Sequence, residues 1–236
     1  MMRSVIATAA VLALAGAAAA DSVDLNYTGP AEGRSFNVVA NGNATSVFAG
    51  QLTFTVANGS GSTGVRLNGP LTTFCIDVLE AIGPGQQTYD LAALQDAPVT
   101  AGGIAPAMGA DKASAIARMY TFAAGQQFGT DRNKAAAFQL AVWEVIADFG
   151  DNDPMSVASG DFRVTSSINS GTQNFLNALL AAAVDSSITE FRGLGALTNE
   201  GFQDQLYSVV VPLPGAAGLA AVGLAGVGLV ARRRRA

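Results

Sequence analysis

AAFQLAVWEV, Ala136 to Val145, carries helical spacing with one residue out of character. At about 100° per residue, Ala135, Phe138, Val142, Ile146 and Phe149 fall on one apolar stripe, with Glu144 opposite. Gln139 lies inside that stripe. A carboxamide on the face that a helix buries needs a hydrogen-bonding partner there. The segment opens with Asp131, a residue type that caps helix N-termini, so a helix is expected over 131–149.

On either side of this helix the pattern changes. DKASAIARMYTFAAGQQF (111–128) reads as a second helix opened by an aspartate, and NSGTQNFLNALLAAAVDSS (169–187) as a third. Before Ala101 the chain reads as β. SVDLNYTG, SFNVVANG, SVFAGQLTFTVANG and GVRLNGPLTTFCIDVLEAI alternate and are punctuated by Asn-Gly and Gly-Ser turns. Leu52, Phe54 and Val56 share one face, with Thr53 and Thr55 on the other. Gln87–Leu94 reads as a further short strand, and FQDQLYSVVV returns to a strand pattern. There is no long linker and no fixed-period repeat. Helices enclosed between strands imply one α+β domain over about 21–210. The last strand, near Tyr207, is expected beside an early one, and helices 111–128 and 131–149 are expected to pack together.

Composition narrows the chemistry. The 236 residues include 27 glycines, one cysteine (Cys75) and no histidine. One cysteine allows no internal disulfide. The missing histidine removes Ser–His–Asp and Cys–His catalysis and every His-ligated metal site. All 18 acidic residues lie between Asp21 and Asp204, whereas Arg3 and Arg232 to Arg235 leave only eight of the 13 basic residues in the middle. That middle part carries a net charge of about −10, a poor surface for nucleic acid.

Both ends read as processing segments. MMRSVIATAAVLALAGAAAA (1–20) has an early arginine, a short apolar run and an Ala-rich end, the pattern of a secretory signal peptide cut after Ala20. At the other end, residues 215–231 are all Gly, Ala, Leu or Val and precede Arg232, Arg233, Arg234 and Arg235. The run is at the lower edge of membrane-spanning length, and the arginines would stay cytoplasmic. Val211, Pro212, Leu213 and Pro214, then the apolar helix, then the arginine cluster, resemble the VPLPA variant of the PEP-CTERM sorting signal, with Gly215 where that signal usually has alanine. The resemblance covers 211–236. It implies export in a Gram-negative bacterium, transient anchoring in the inner membrane and processing by an exosortase-type protease. The envelope or the extracellular space is then the expected location.

Cys75 lies in LTTFCIDVLE. As a strand, this stretch points Phe74, Ile76 and Val78 one way and Thr73, Cys75, Asp77 and Leu79 the other. The sole cysteine therefore faces whatever covers the second side, and the helices are the obvious cover. A cysteine and a glutamine can react: the thiolate attacks the carboxamide, ammonia leaves, and an internal thioester remains that an external amine or hydroxyl opens. Phe74-Cys75-Ile76-Asp77, followed by Phe138-Gln139 and Ala141-Val142-Trp143, resembles the Cys–Gln thioester domain of bacterial surface adhesins. The resemblance covers about 71–149. It implies an antiparallel β-sandwich or barrel with an inserted helical subdomain, and a Cys75–Gln139 bond for covalent attachment to a surface amine or hydroxyl. Phe74, Asp77, Phe138 and Trp143 would support the pair.

The leading expectation is an exported surface or matrix adhesion protein, not an enzyme and without a cofactor. The alternative is a non-reactive structural component of an extracellular polymer or biofilm matrix, in which Cys75 packs as a small hydrophobe. A carboxylate-dependent extracellular hydrolase, for which Asp77 and Glu80 would be the carboxylates, is disfavoured by the lack of histidine and of any paired-carboxylate motif. DFGDNDP (148–154) brings together Asp148, Asp151 and Asp153, but it lacks the glycine and glutamate of an EF-hand and reads as a solvated turn, so no metal is assigned. Asn43–Thr45 fits a glycosylation acceptor, which a bacterial exported protein ordinarily leaves bare.

If the tail is a sorting signal, residues beyond about Pro214 are absent from the mature protein. Mass spectrometry of the protein isolated from its host envelope checks this: peptides still containing Arg232 to Arg235 would leave only a tail anchor.

Overall fold

A computed structural model describes residues 21–99, 106–150 and 155–209. The expected signal peptide (1–20), the sorting residues Val211, Pro212, Leu213, Pro214 and Arg232 to Arg235, and the pair Asp151 and Asp153 lie outside the described residues. Among the described residues no helix is long and apolar enough to cross a membrane.

The β part is dominated by one hairpin. β1 (Ser22–Ala40) and β2 (Asn43–Ala57) pair antiparallel along their whole lengths, with irregularities near Tyr27 and between Pro30 and Gly33. Asn41 and Gly42 both take positive φ, 46° and 79°, which is the two-residue turn that an Asn-Gly pair favours. Then follow helix α1 (Gly61–Leu67), β3 (Gly69–Cys75) and β4 (Gln86–Ala92). After the helical region come β6 (Leu194–Thr198) and β7 (Gln205–Ser208). The antiparallel pairings run β1–β2–β3–β7–β6–β4 and return to β1, so the sheet closes into a barrel. Closure leaves none of those six strands as a bare edge. A short strand, β5 (Phe162–Val164), adds to the far end of β1. The expected α+β fold with strands and inserted helices is therefore observed, in the barrel form, and the last strand does lie beside an early one.

The helical unit comprises α2 (Gly109–Ala124), α3 (Arg132–Asp148) and α4 (Ser170–Val184). α2 stops at Ala124, four residues short of the expected end; Gln127 then turns left-handed at φ 55° and Phe128 belongs to a short 3-10 turn. α3 follows the sequence reading closely, yet it is not amphipathic. Every residue from Ala135 to Val145 is buried, because α3 packs against α4 on one side and against β1 and β2 on the other. Glu144, expected opposite the apolar stripe, is fully buried. Its Oε1 accepts the Ser156 N–H at 2.5 Å, Oε2 has no partner, and burial with the nearby Asp148 raises the carboxyl to about 7. The alanines of α3 explain how a central helix fits: small side chains let its neighbours approach closely.

Three further expectations are corrected. GVRL is helical, not a strand: Gly64 and Leu67 are buried at a spacing of three while Val65 between them is 58% exposed, and the glycines of GSTG offer a strand nothing to pack. The strand through LTTFCIDVLE ends at Cys75, so the alternation does not extend to Asp77, Val78 and Leu79. β5 and β6 were not expected. β6 is buried from Gly195 to Thr198 and so shows no alternation to read.

α3 positions Gln139, and Asp131 holds the helix start: its Oδ1 accepts the N–H groups of Asn133 at 2.8 Å and Lys134 at 3.2 Å. Asp131→Ala is expected to lower unfolding free energy by about 1 kcal/mol, measured by denaturant titration.

Candidate functional site

The site begins where a strand runs out of partner. β2 pairs with β3 as far as Gln51 opposite Phe74, and the register does not reach Cys75. At Gly50, β2 lies against β1 opposite Gly33, so tightly that a Cβ on Gly50 would overlap the Glu32 carbonyl. On the other side β7 continues: Cys75 stands opposite Gln205, and the Ile76 N–H donates to the Asp204 carbonyl at 2.9 Å. Because successive residues of a strand address opposite neighbours, the N–H and C=O of Cys75 point to the side that β2 has left. Buried and unpaired, they would be costly.

Gln139 fills that gap. Its Oε1 accepts the Cys75 N–H at 2.8 Å, and its Nε2 donates to the Cys75 carbonyl at 2.8 Å. One carboxamide thus substitutes for one strand residue. This accounts for an amide on the buried face of the helix, and it sets the Gln139 side chain on the Cys75 backbone. The contact differs in kind from the sequence reading, which paired side chain with side chain and placed Phe74 on the opposite face from the helices. In fact α3 meets both residues: Phe138 packs edge-on to Phe74 at 4.8 Å between ring centres, and Phe128 and Tyr120 complete the aromatic group.

Around the thiol, acidic residues lie among apolar and aromatic ones. The Cys75 Sγ–H donates to the Asp77 carbonyl at 3.0 Å. Burial pushes the thiol well up. Trp143 opposes that shift, and the carboxylates of Asp77 and Asp204 add to it. Trp143 is one helical turn beyond Gln139 and so shares its face; its Nε1–H is buried and makes no hydrogen bond of good geometry. Asp77 uses Oδ1 to accept the Leu79 N–H at 3.1 Å, its Oδ2 is buried without a partner, and burial raises its carboxyl. Asp204 accepts the N–H groups of Val99 at 2.6 Å and Asn199 at 2.8 Å, and burial still lifts it to about 6. Glu80 is raised to about 7, first by burial, then by Asp77 and Asp204.

The chain's end builds the floor of the site. The Gln203 amide donates to the carbonyls of Asp77 and Glu80 at 3.2 and 2.9 Å, fixing the turn after Cys75, and the Thr73 hydroxyl donates to Gln205 Oε1 at 2.8 Å. Sequence reading missed Gln203, Asp204 and Gln205. The signal was there: three polar residues at the entrance to a strand whose next two residues, Leu206 and Tyr207, are core. The carboxylates Asp77 and Glu80 of the sequence are joined in the fold by Asp204. Asp148 uses both carboxylate oxygens on the N–H groups of Asp161 and Phe162, at 2.8 and 3.0 Å. Among the described residues no three His, Cys, Asp or Glu side chains gather as a metal site.

The Gln139 carboxamide is held against the Cys75 backbone with its oxygen facing an N–H donor, and nearby Glu80 is raised to about 7 and Asp204 to about 6. No family model matches this chain, and no curated protein or solved structure matches it either.

Gln139→Ala leaves the Cys75 N–H and C=O buried without partners. At about 1–3 kcal/mol for each orphaned group, a loss of about 2–6 kcal/mol in unfolding free energy is expected by denaturant titration. A loss within error of zero would mean that water or β2 readily takes the place of the amide.

Proposed function

We propose that this is an exported surface or matrix protein that attaches covalently through an internal thioester between Cys75 and Gln139. The observation that carries the reading is the two-point docking of the Gln139 carboxamide on the Cys75 backbone. Docking supplies proximity, and the Cys75 N–H supplies the donor that a tetrahedral oxyanion needs. Burial keeps the thiol protonated, so a base is required. Asp77, two residues on, with a raised carboxyl and an unpartnered oxygen, is the candidate. Asp77 takes the thiol proton and sulfur attacks Cδ of Gln139. The negative charge on Oε1 is held by the Cys75 N–H, and collapse expels Nε2, which leaves as ammonia with the returned proton. An amine or hydroxyl of a surface partner then attacks the same carbon. An amide or ester to Gln139 forms, and the thiol of Cys75 is restored. The molecule reacts once, which suits an attachment device and not a turnover enzyme. The signal-like start and the sorting-like tail are what support an exported location, with an exosortase-type protease as the processing partner.

A second reading has an observation of its own. An amide with both its groups satisfied by backbone is also what a purely structural glutamine looks like. The protein would then be a non-reactive component of an extracellular polymer.

Intact mass decides between the two. The wild type is expected to weigh one ammonia less than its sequence mass, Cys75→Ala and Gln139→Ala to remove the deficit, and methylamine to add its own mass at Gln139 while freeing a thiol. A full mass in freshly isolated wild type would leave the structural reading standing.

A further inference from the structure

Opening a thioester with an amine leaves a proton to be removed from the attacking nitrogen, and the structure offers a group for that task. A cavity of about 400 Å³ reaches Cys75, within the size range of small-ligand sites. Its walls include Tyr27, Phe48, Leu52 and Trp143, and Glu80 is the one charged side chain that lines it. Oε2 of Glu80 is buried without a hydrogen bond at this void. The indole N–H of Trp143, a residue only 3% exposed, lies by the Cys75 thiol and counters its upward shift. A buried carboxylate oxygen left open beside a void points to a visiting molecule.

Resting on the thioester reading above, we propose that Glu80 is the general base that takes the proton from the acceptor nucleophile as it enters this cavity and opens the Cys75–Gln139 bond. The acceptor nitrogen attacks the Gln139 carbonyl carbon, its proton passes to the Glu80 carboxylate, the carbon–sulfur bond breaks, and the proton ends on the Cys75 thiolate. Nothing is oxidised or reduced. The groups facing Glu80 are Asp77 from its own loop, Asp204 from the segment before β7, Tyr89 from β4, Tyr27 across the cavity, and Cys75 itself. None is a cation. Burial and the two aspartates bring Glu80 to about 7, where a general base is most effective near neutral pH.

The test uses the full-length protein isolated from its host and methoxyamine, a weakly basic amine that stays uncharged across the range, so that only the protein titrates. Intact mass is taken first, to establish the ammonia deficit in wild type and in Glu80→Gln. The rate of mass gain is then followed against pH. Wild type is expected to accelerate as pH rises through about 7. Glu80→Gln is expected to keep the deficit and to react on the order of 10²-fold more slowly with a flat profile. If wild type shows no deficit, the thioester reading falls and this one with it. If both proteins show the deficit and react at the same rate, Glu80 alone is overturned. Should Glu80→Gln fail to form the bond, the wild-type profile decides: a flat rate through pH 7 overturns the proposal.

Discussion

The Gln139 carboxamide occupies the place of a missing strand residue, and much of the architecture follows from that. β3 needs a neighbour at Cys75, its pairing with β2 ends at Phe74, and a side chain from outside the sheet fills the gap. The donor of that side chain must lie against the barrel at a fixed depth and rotation. A glutamine held at both ends of its amide fixes both. α3 is therefore clamped to the barrel, and burial on all sides is the result: Ala135 to Val145 have no solvent-facing member. Phe138, next in sequence, is carried into the aromatic group with Phe74, Phe128 and Tyr120, which adds apolar packing to the two polar bonds.

Electrostatics at the site follow a different logic from that of a usual buried acid group. Asp77, Glu80 and Asp204 lie near one another, and no basic side chain answers them. Among the described residues the one ion pair is Arg118 with Glu190, elsewhere on the molecule. Carboxyls that are neither paired nor fully solvated keep their protons to higher pH. In a chain without histidine, this is a way to hold groups that exchange protons near neutrality. The cost falls on folding: each such group favours the folded state at low pH, and that contribution fades as pH rises through its raised value, about 6 for Asp204 and about 7 for Glu80.

What the sequence disclosed, and what it hid, separates along physical lines. Local periodicity was enough for α3, for the Asn41-Gly42 turn and for the β-rich first part, because those depend on neighbours in sequence. The oddity of Gln139 was also visible, since an amide within an apolar stripe needs a reason. The nature of its partner was not, because a backbone group left unpaired by a departing strand has no sequence signature. Glu144 misled for a related reason. A charged residue normally marks the solvent side, and only the packing of α4 and the barrel around α3 places it inside. β6 was silent because strands buried on both faces lose their alternation. Glu80, Gln203 and Asp204 became meaningful only when the closing of the barrel set them around Cys75.

The order in which the site is assembled has its own consequence. Its walls come from both halves of the chain: Thr73 bonds Gln205 across 132 residues, Ile76 relies on Asp204, and the turn after Cys75 is held by Gln203. A chain emerges from synthesis N-terminus first. Cys75 and Gln139 are therefore both made, and free to meet, well before the residues that finish their surroundings exist. Until β7 arrives, the barrel is open at the Cys75 strand, the acidic group lacks Asp204, and the turn carrying Asp77 and Glu80 is untethered. The surroundings of the pair are thus complete only when residues 203–205 have been made, although its members are made early.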